Sequence, residues 1–192
     1  RLDRETSGVV LAAKSAEAAR RFGLAMQNRE AEKRYLAVAA GWPADDLFAV
    51  DAPIRRRGEV EPSPIWVKQI VHPGGAPCQT EFRVVRRFER PEGRFCLIEA
   101  RPLTGRMHQI RVHLAHAGFP VAGDKIYGPD ERCYLDFIET GWTADLQRRL
   151  ILRRHALHSC ALAIGGHRWE SPLPADLAAF LPDADGGPGP GC

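Results

Sequence analysis

Residues Gln79–Gly118 read QTEFRVVRRFERPEGRFCLIEARPLTGRMHQIRVHLAHAG, and the change of rhythm inside this stretch decides the fold class. QTEFRVVRRF alternates apolar and polar residues, and RFCLIEARP is a second β-rich run. Both read as strands, joined by a hairpin turn at Arg90–Gly93. After Thr104–Gly105 the period changes: Met107, Ile110, Leu114 and Ala117 fall within about 80° of one another at about 100° per residue. A helix is therefore expected to carry Arg106 in its first turn and to end at Gly118. Arg106, Gln109, His113 and His116 form its adjoining polar stripe. Strands interspersed with helices predict an α+β domain around one mixed, largely antiparallel sheet with flanking helices.

The same reading extends to both sides. SGVVLAAK (Ser7–Lys14) is a nearly continuous apolar run and predicts a buried strand. Ser15 then caps a helix to about Asn28, with Glu17 in its first turn. KRYLAVAAGW predicts a strand ending at Gly41, followed by a Pro- and Gly-punctuated region with short strands near Phe48–Ile54 and Ile65–Val71. Downstream, helices are expected near Arg132–Glu139 and Ala144–Leu152, strands at Ala156–Ile164 and His167–Glu170, and a short helix at Ala175–Leu181. Residues 1–182 read as one domain, and the tail DADGGPGPGC (183–192) as disordered. The chain opens on Arg1 and not on Met, as expected of a fragment, a processed product or the ordered remainder of something longer.

Composition narrows the function classes. The 44% apolar and 27% charged content is that of a soluble globular domain, and no apolar run approaches the roughly 18 residues of a membrane helix. Five cysteines, an odd number with no CxxC pair, read as reduced thiols of a cytoplasmic protein. There is no Walker loop and no GxGxxG, so no nucleotide cofactor is expected. The net charge of +3 is small, but its distribution is uneven. Ala100–Gly123 has no acidic residue, yet holds Arg101, Arg106, His108, Arg111, His113 and His116. Further basic clusters lie at Arg55–Arg56–Arg57, at Arg83, Arg86 and Arg87, and at Arg148, Arg149, Arg153 and Arg154. Local basic surfaces on a nearly neutral chain suit a polyanion; solvated surface arginines are the plainer alternative.

Three residues stand out as candidates. Asp3 lies between Arg1 and Arg4, and cationic neighbours keep a carboxylate ionised, as a nucleophile or base requires. Arg106 is placed to reach inward and grip a carboxylate with its fork. Tyr35 offers an apolar face to a base and a polar tip. Taken singly, each also reads as an ordinary turn, surface or core residue. His113 and His116 are three apart, but no carboxylate stands near them and no metal site is expected.

In combination these stretches resemble a known family. RLDRETSG resembles the catalytic-aspartate motif of the RluA-type RNA pseudouridine synthases, and KRYLAVAAG, with Tyr35 lying 32 residues after Asp3, resembles their tyrosine motif. RPLTGRMHQIRVHLAHAGFPVAGDKIYG is similar to their long arginine motif, RRHALHSCAL to their late core strand, and ESPLPADLAAF to their usual ending. The resemblance implies an α+β fold with a catalytic cleft in its sheet, from which the strand or strands before the aspartate motif are missing here. It implies isomerisation of uridine in structured RNA, ribosomal or transfer, by a monomer that uses no cofactor. Asp3 would act at the ribose, Tyr35 would stack on the uracil, and Arg106 would pair with Asp3. Arg1 would help hold the flipped nucleotide, and Arg4, His108 and Arg111 would contact RNA. Two other classes stay open: a non-catalytic RNA-binding module of the same fold, and a nucleoside or glycoside hydrolase.

Overall fold

The central hairpin forms where the alternation ends and apolar residues run together. In the computed structural model, which describes residues 3–182, the strands β6 (Gln79–Arg90) and β7 (Gly93–Pro102) pair antiparallel from Thr80↔Pro102 to Arg90↔Gly93. Phe95 to Ala100 are all buried, as befits a strand covered on both faces. The other elements are β1 (Ser7–Gly8), α1 (Ala16–Gln27), β2 (Glu32–Ala40), β3 (Leu47–Asp51), β4 (Ile54–Arg56) and β5 (Gln69–Val71). After β7 come α2 (Gln109–His116), α3 (Arg132–Thr140), α4 (Ala144–Leu150), β8 (Leu157–Ile164), β9 (His167–Glu170) and α5 (Ala175–Ala178).

The main sheet runs β1-β8-β2-β7-β6-β3, with β9 also on β8, and β4–β5 form a separate small sheet. Every pair is antiparallel except β1 with β8. The α+β class and the mixed, largely antiparallel sheet are as expected. Ile110 and Leu114 of α2, and Leu177 and Phe180 at the C-terminal end, join the main core formed on the sheet. A second core, with Ile54, Ile65, Val112, Ile126 and Tyr127, fastens the small sheet to the other flank of α2. Among the described residues, no helix is long and apolar enough to cross a membrane. The expectations for Arg1 and for the 183–192 tail lie outside the described residues.

Three expectations are corrected. The strand predicted over Ser7–Lys14 is only two residues long, because Gly8 turns the chain with φ +108 and Val10 is 59% exposed. A Cβ on Gly8 would sit 2.1 Å from the Ser159 carbonyl oxygen, so glycine alone permits this close approach. The helix predicted from Arg106 starts at Gln109, after His108 in the left-handed conformation. Gln109 holds the preceding loop in place: its Oε1 accepts from Arg106 N–H (2.9 Å) and the Thr104 hydroxyl (2.8 Å), and its Nε2 donates to Gln79 O and Thr80 Oγ1. The polar stripe of that helix is therefore largely interior. Gln109 and His113 are buried and bonded, and His116 alone of its helical members is exposed. Among the cysteines, Cys78, Cys96 and Cys133 are buried free thiols, whereas Cys160 is disulfide-bonded.

Candidate active site

The segment before β1 is tied down residue by residue. Lys125, itself buried, donates to Glu5 Oε1 at 2.8 Å. The Thr6 hydroxyl lies 2.9 Å from His155 Nε2, and the Ser7 hydroxyl 3.0 Å from His158 Nδ1. His158 Nε2 donates to Ser171 O at 3.0 Å, which leaves its Nδ1 to accept from Ser7. Burial, with the Arg111 charge nearby, pushes the His155 imidazole down to about 3, so it is neutral beside the Thr6 hydroxyl. A segment held at three successive side chains presents Asp3 on a rigid base.

Asp3 has about a fifth of its side chain exposed, and Arg111 Nη1 donates to its Oδ2 at 3.2 Å. Arg111 sits on α2 and is only 4% exposed. Its Nε and Nη2 grip the fully buried Asp124 at 2.6 and 2.8 Å. Asp124 Oδ1 also accepts from the backbone N–H groups of Ile126 (2.9 Å) and Tyr127 (3.1 Å). One guanidinium thus spans two carboxylates, an interior one that orients it and a cleft-facing one that it orients. Burial opposes the charge on each buried partner, yet the attraction between them prevails: Arg111 is held above the usual arginine range, and Asp124 well below the usual carboxylate range. His108 completes the shell, with Nε2 3.5 Å from Asp3 Oδ1 and Nδ1 2.8 Å from the Tyr127 hydroxyl.

Across a cleft of about 530 Å³ from these groups lies Tyr35, with Lys33, Val10 and Arg106 also lining the space. Tyr35 follows a bulge, since β2 pairs Arg34 with Ala161 but Tyr35 with Ser159. Such an irregularity re-aims a side chain beside a site. Burial raises the Tyr35 phenol, only partly countered by its hydrogen bond with Ser159, so it is a neutral hydroxyl at pH 7. Lys33 donates to Thr104 O at 2.9 Å, and burial lowers its ammonium. A second cavity of about 520 Å³ shares Arg106 with the first and is lined by Arg55 and Arg56 of the small sheet. Arg56 there lies 3.8 Å over the ring of Trp66, which is 76% exposed.

The structure thus brings Asp3 and Tyr35 into one cleft, but two arginines exchange their expected places. Arg111 and not Arg106 pairs with Asp3; Arg106 precedes the helix and lies exposed at the junction of the two cavities. Arg111, expected on RNA, has all three of its guanidinium nitrogens on carboxylates. His108 lies against Asp3 with its side chain 9% exposed, and Arg4 is exposed on the cleft wall. Sequence reasoning missed Asp124, Tyr127 and His155. Asp124 had a signal, being the first acid after the acid-free run Ala100–Gly123. Among the described residues, no three metal-ligating side chains converge.

With this geometry in hand, the comparisons with known proteins are specific. The family model described as RNA pseudouridylate synthase matches residues 1–116. Ribosomal large subunit pseudouridine synthase D of Nitrosomonas europaea is 38% identical over 191 residues, covering 94% of this chain and 49% of that protein. The protein of the same name from Escherichia coli is 35% identical over 191 residues, covering 94% and 53%. Ribosomal large subunit pseudouridine synthase C of Yersinia pestis is 40% identical over 128 residues, covering 67% and 38%. The chain therefore spans about half the length of the first of these relatives. Among solved structures, human RNA Pseudouridylate Synthase Domain Containing 4 aligns with a TM-score of 0.69 at 24% identity, covering 93% of this chain and 71% of that one. Domain Containing 1 aligns at 0.67 and 24%, covering 91% and 66%, and both show the same fold. The long arginine motif, the aspartate motif and the matched family model agree, and the chain belongs to the RluA-type family of RNA pseudouridine synthases.

Proposed function

We propose that this protein isomerises uridine to pseudouridine in structured RNA, with Asp3 as the catalytic carboxylate. One observation carries the reading: a part-exposed carboxylate faces a nucleotide-sized cleft while a buried, pre-oriented arginine donates to it and fixes its orientation. The names of the relatives that act on the large ribosomal subunit favour ribosomal RNA as the first substrate pool, ahead of transfer RNA.

The reaction breaks the N1–C1′ bond, turns the uracil and joins C5 to C1′; the C5 proton leaves and N1 gains one. The target base first leaves its stack, at a cost of about a few kcal/mol that is least in loops. Asp3 acts at the ribose, either as nucleophile at C1′ or as base, and Arg111 keeps it aimed. Tyr35 supplies a stacking face for the uracil and a neutral hydroxyl near C5. Arg106, with Arg55 and Arg56 along the second cavity, contacts phosphates and sets the RNA's path without reading its sequence.

A glycosidase-like hydrolysis fits poorly. Such sites pair two carboxylates, whereas among the described residues lining the cleft Asp3 is the one acid. The test is tritium release from [5-³H]uridine-labelled ribosomal and transfer RNA, comparing wild type with Asp3→Asn. Wild type should release tritium, and the variant should be slower by at least about a thousandfold, or about 4 kcal/mol of barrier, while binding RNA within a few fold. Near-wild-type turnover by the variant would remove Asp3 from the chemistry. Free uracil as a product would replace the isomerase with a hydrolase.

A further inference from the structure

Arg111 accounts for one oxygen of the Asp3 carboxylate; the other faces His108. His108 is built into an unusual position. It has φ 56 and ψ 16 immediately before α2, a left-handed conformation that non-glycine residues rarely adopt. A strained residue persists only where its surroundings over-determine it. Here Gln109 fixes the loop on one side and Tyr127 fixes the ring on the other. The two rings meet edge to face, with centroids 5.6 Å apart.

The hydrogen-bond chain offers one arrangement that places the ring proton toward Asp3. The Gln69 backbone N–H donates to Tyr127 Oη at 2.9 Å, and in this arrangement the phenol's own proton goes to His108 Nδ1 at 2.8 Å. Burial raises the Tyr127 phenol well above the usual tyrosine range, so that proton is present at neutral pH. A neutral imidazole that accepts at Nδ1 carries its hydrogen on Nε2, the nitrogen 3.5 Å from Asp3 Oδ1. That separation is loose, as catalytic hydrogen bonds are before substrate closes a site.

We propose that His108 is a positioning residue for Asp3: its Nε2–H, fixed by the Tyr127 hydroxyl, holds Oδ1 while Arg111 holds Oδ2, which sets the direction in which the carboxylate meets the ribose. This rests on the isomerase reading for its effect on rate, but the tautomer and the contact with Asp3 do not.

The test separates the two. His108→Asn is the informative variant, because asparagine tolerates the left-handed conformation but is too short to span Tyr127 and Asp3. Thermal unfolding should hardly change. In tritium release, kcat should fall about ten- to hundredfold, the range of a lost hydrogen bond to a charged group, with KM within about twofold. Tyr127→Phe should lower kcat less. Independently of turnover, ¹⁵N-histidine spectra of the protein should place the His108 proton on Nε2, shift that resonance in Asp3→Ala, and show mixed tautomers in Tyr127→Phe. A wild-type proton on Nδ1, an unmoved resonance in Asp3→Ala, or an unchanged kcat in His108→Asn overturns the proposal. A raised KM with kcat intact does the same, and makes His108 an RNA contact. An inactive wild type that still gives the expected spectra sinks the isomerase reading and leaves the positioning contact standing.

Discussion

Replacing Asp124 by asparagine should destabilise this protein more than replacing Asp3, the proposed catalytic carboxylate. The Asp124 side chain is fully buried and accepts four hydrogen bonds, two from Arg111 and two from backbone N–H groups. Asparagine has nearly the same volume, but one of its two ends is a donor. If the NH2 group takes the place of Oδ2, it faces Arg111 Nε across 2.6 Å; if it takes the place of Oδ1, it faces Nη2 and two backbone donors. Either orientation sets donor against donor and leaves a buried guanidinium half-compensated. Breaking a buried pair in this way costs about 3–5 kcal/mol. For a chain of this size each kcal/mol moves Tm by about 2–4 °C, so a fall of about 6–20 °C is expected. Asp3→Asn is the control, because it loses one 3.2 Å bond at a site a fifth exposed and should cost about 1 kcal/mol. Urea unfolding and calorimetry at pH 7 measure both. A loss under about 1 kcal/mol for Asp124→Asn would refute the claim that this pair anchors the site, as would a larger loss for Asp3→Asn.

Two further perturbations probe the cleft and its support. Tyr35→Phe keeps the ring and should leave RNA affinity within a few fold while slowing isomerisation; a large change in affinity, read by filter binding, would contradict stacking as its binding role. His155 titrates near 3 in the fold against 6.5 in the unfolded chain, so the unfolded state takes up the proton first. Its stabilising effect is complete above about pH 6.5 and is lost as pH falls toward 3; from pH 7 to pH 5 the loss is about 2 kcal/mol. His155→Gln should flatten the pH dependence of unfolding in that window by this amount. His113, also held down by burial, contributes with the same sign in both proteins, and Asp124 titrates below the window. Equal slopes for variant and wild type would mean that His155 is not buried in its neutral form.

The elements whose burial follows a simple period were legible in the sequence. The β6–β7 hairpin, α1 with its Ser15 cap, and β8 fall within a residue or two of expectation because alternation, a capping hydroxyl and turn residues each act locally. Ser7–Lys14 misled because an apolar run records only that residues avoid water. Here Gly8 turns the chain, and Val9 and Val10 line a cleft in place of extending a sheet. The long arginine motif misled in a more instructive way. Arg106 and Arg111 are both arginines on one short stretch, and a regular helix from Arg106 gives Arg111 no special claim to the interior. The distinction depends on Gln109 and the left-handed His108, which delay the helix and turn Arg111 toward Asp124.

Residue type therefore showed what chemistry was available, while the pairing depended on contacts remote in the chain. Asp3 and Arg111 are separated by 108 positions, and Thr6 and His155 by 149. No local pattern encodes such a meeting. The mark left in the sequence is one of charge balance: an arginine flanked by Ile110 and Val112 needs an acid to be buried at all, and the acid-free run before Asp124 leaves few to choose from. Asking which carboxylate compensates a cation among apolar neighbours would have found Asp124 first, and through it the arginine that holds Asp3.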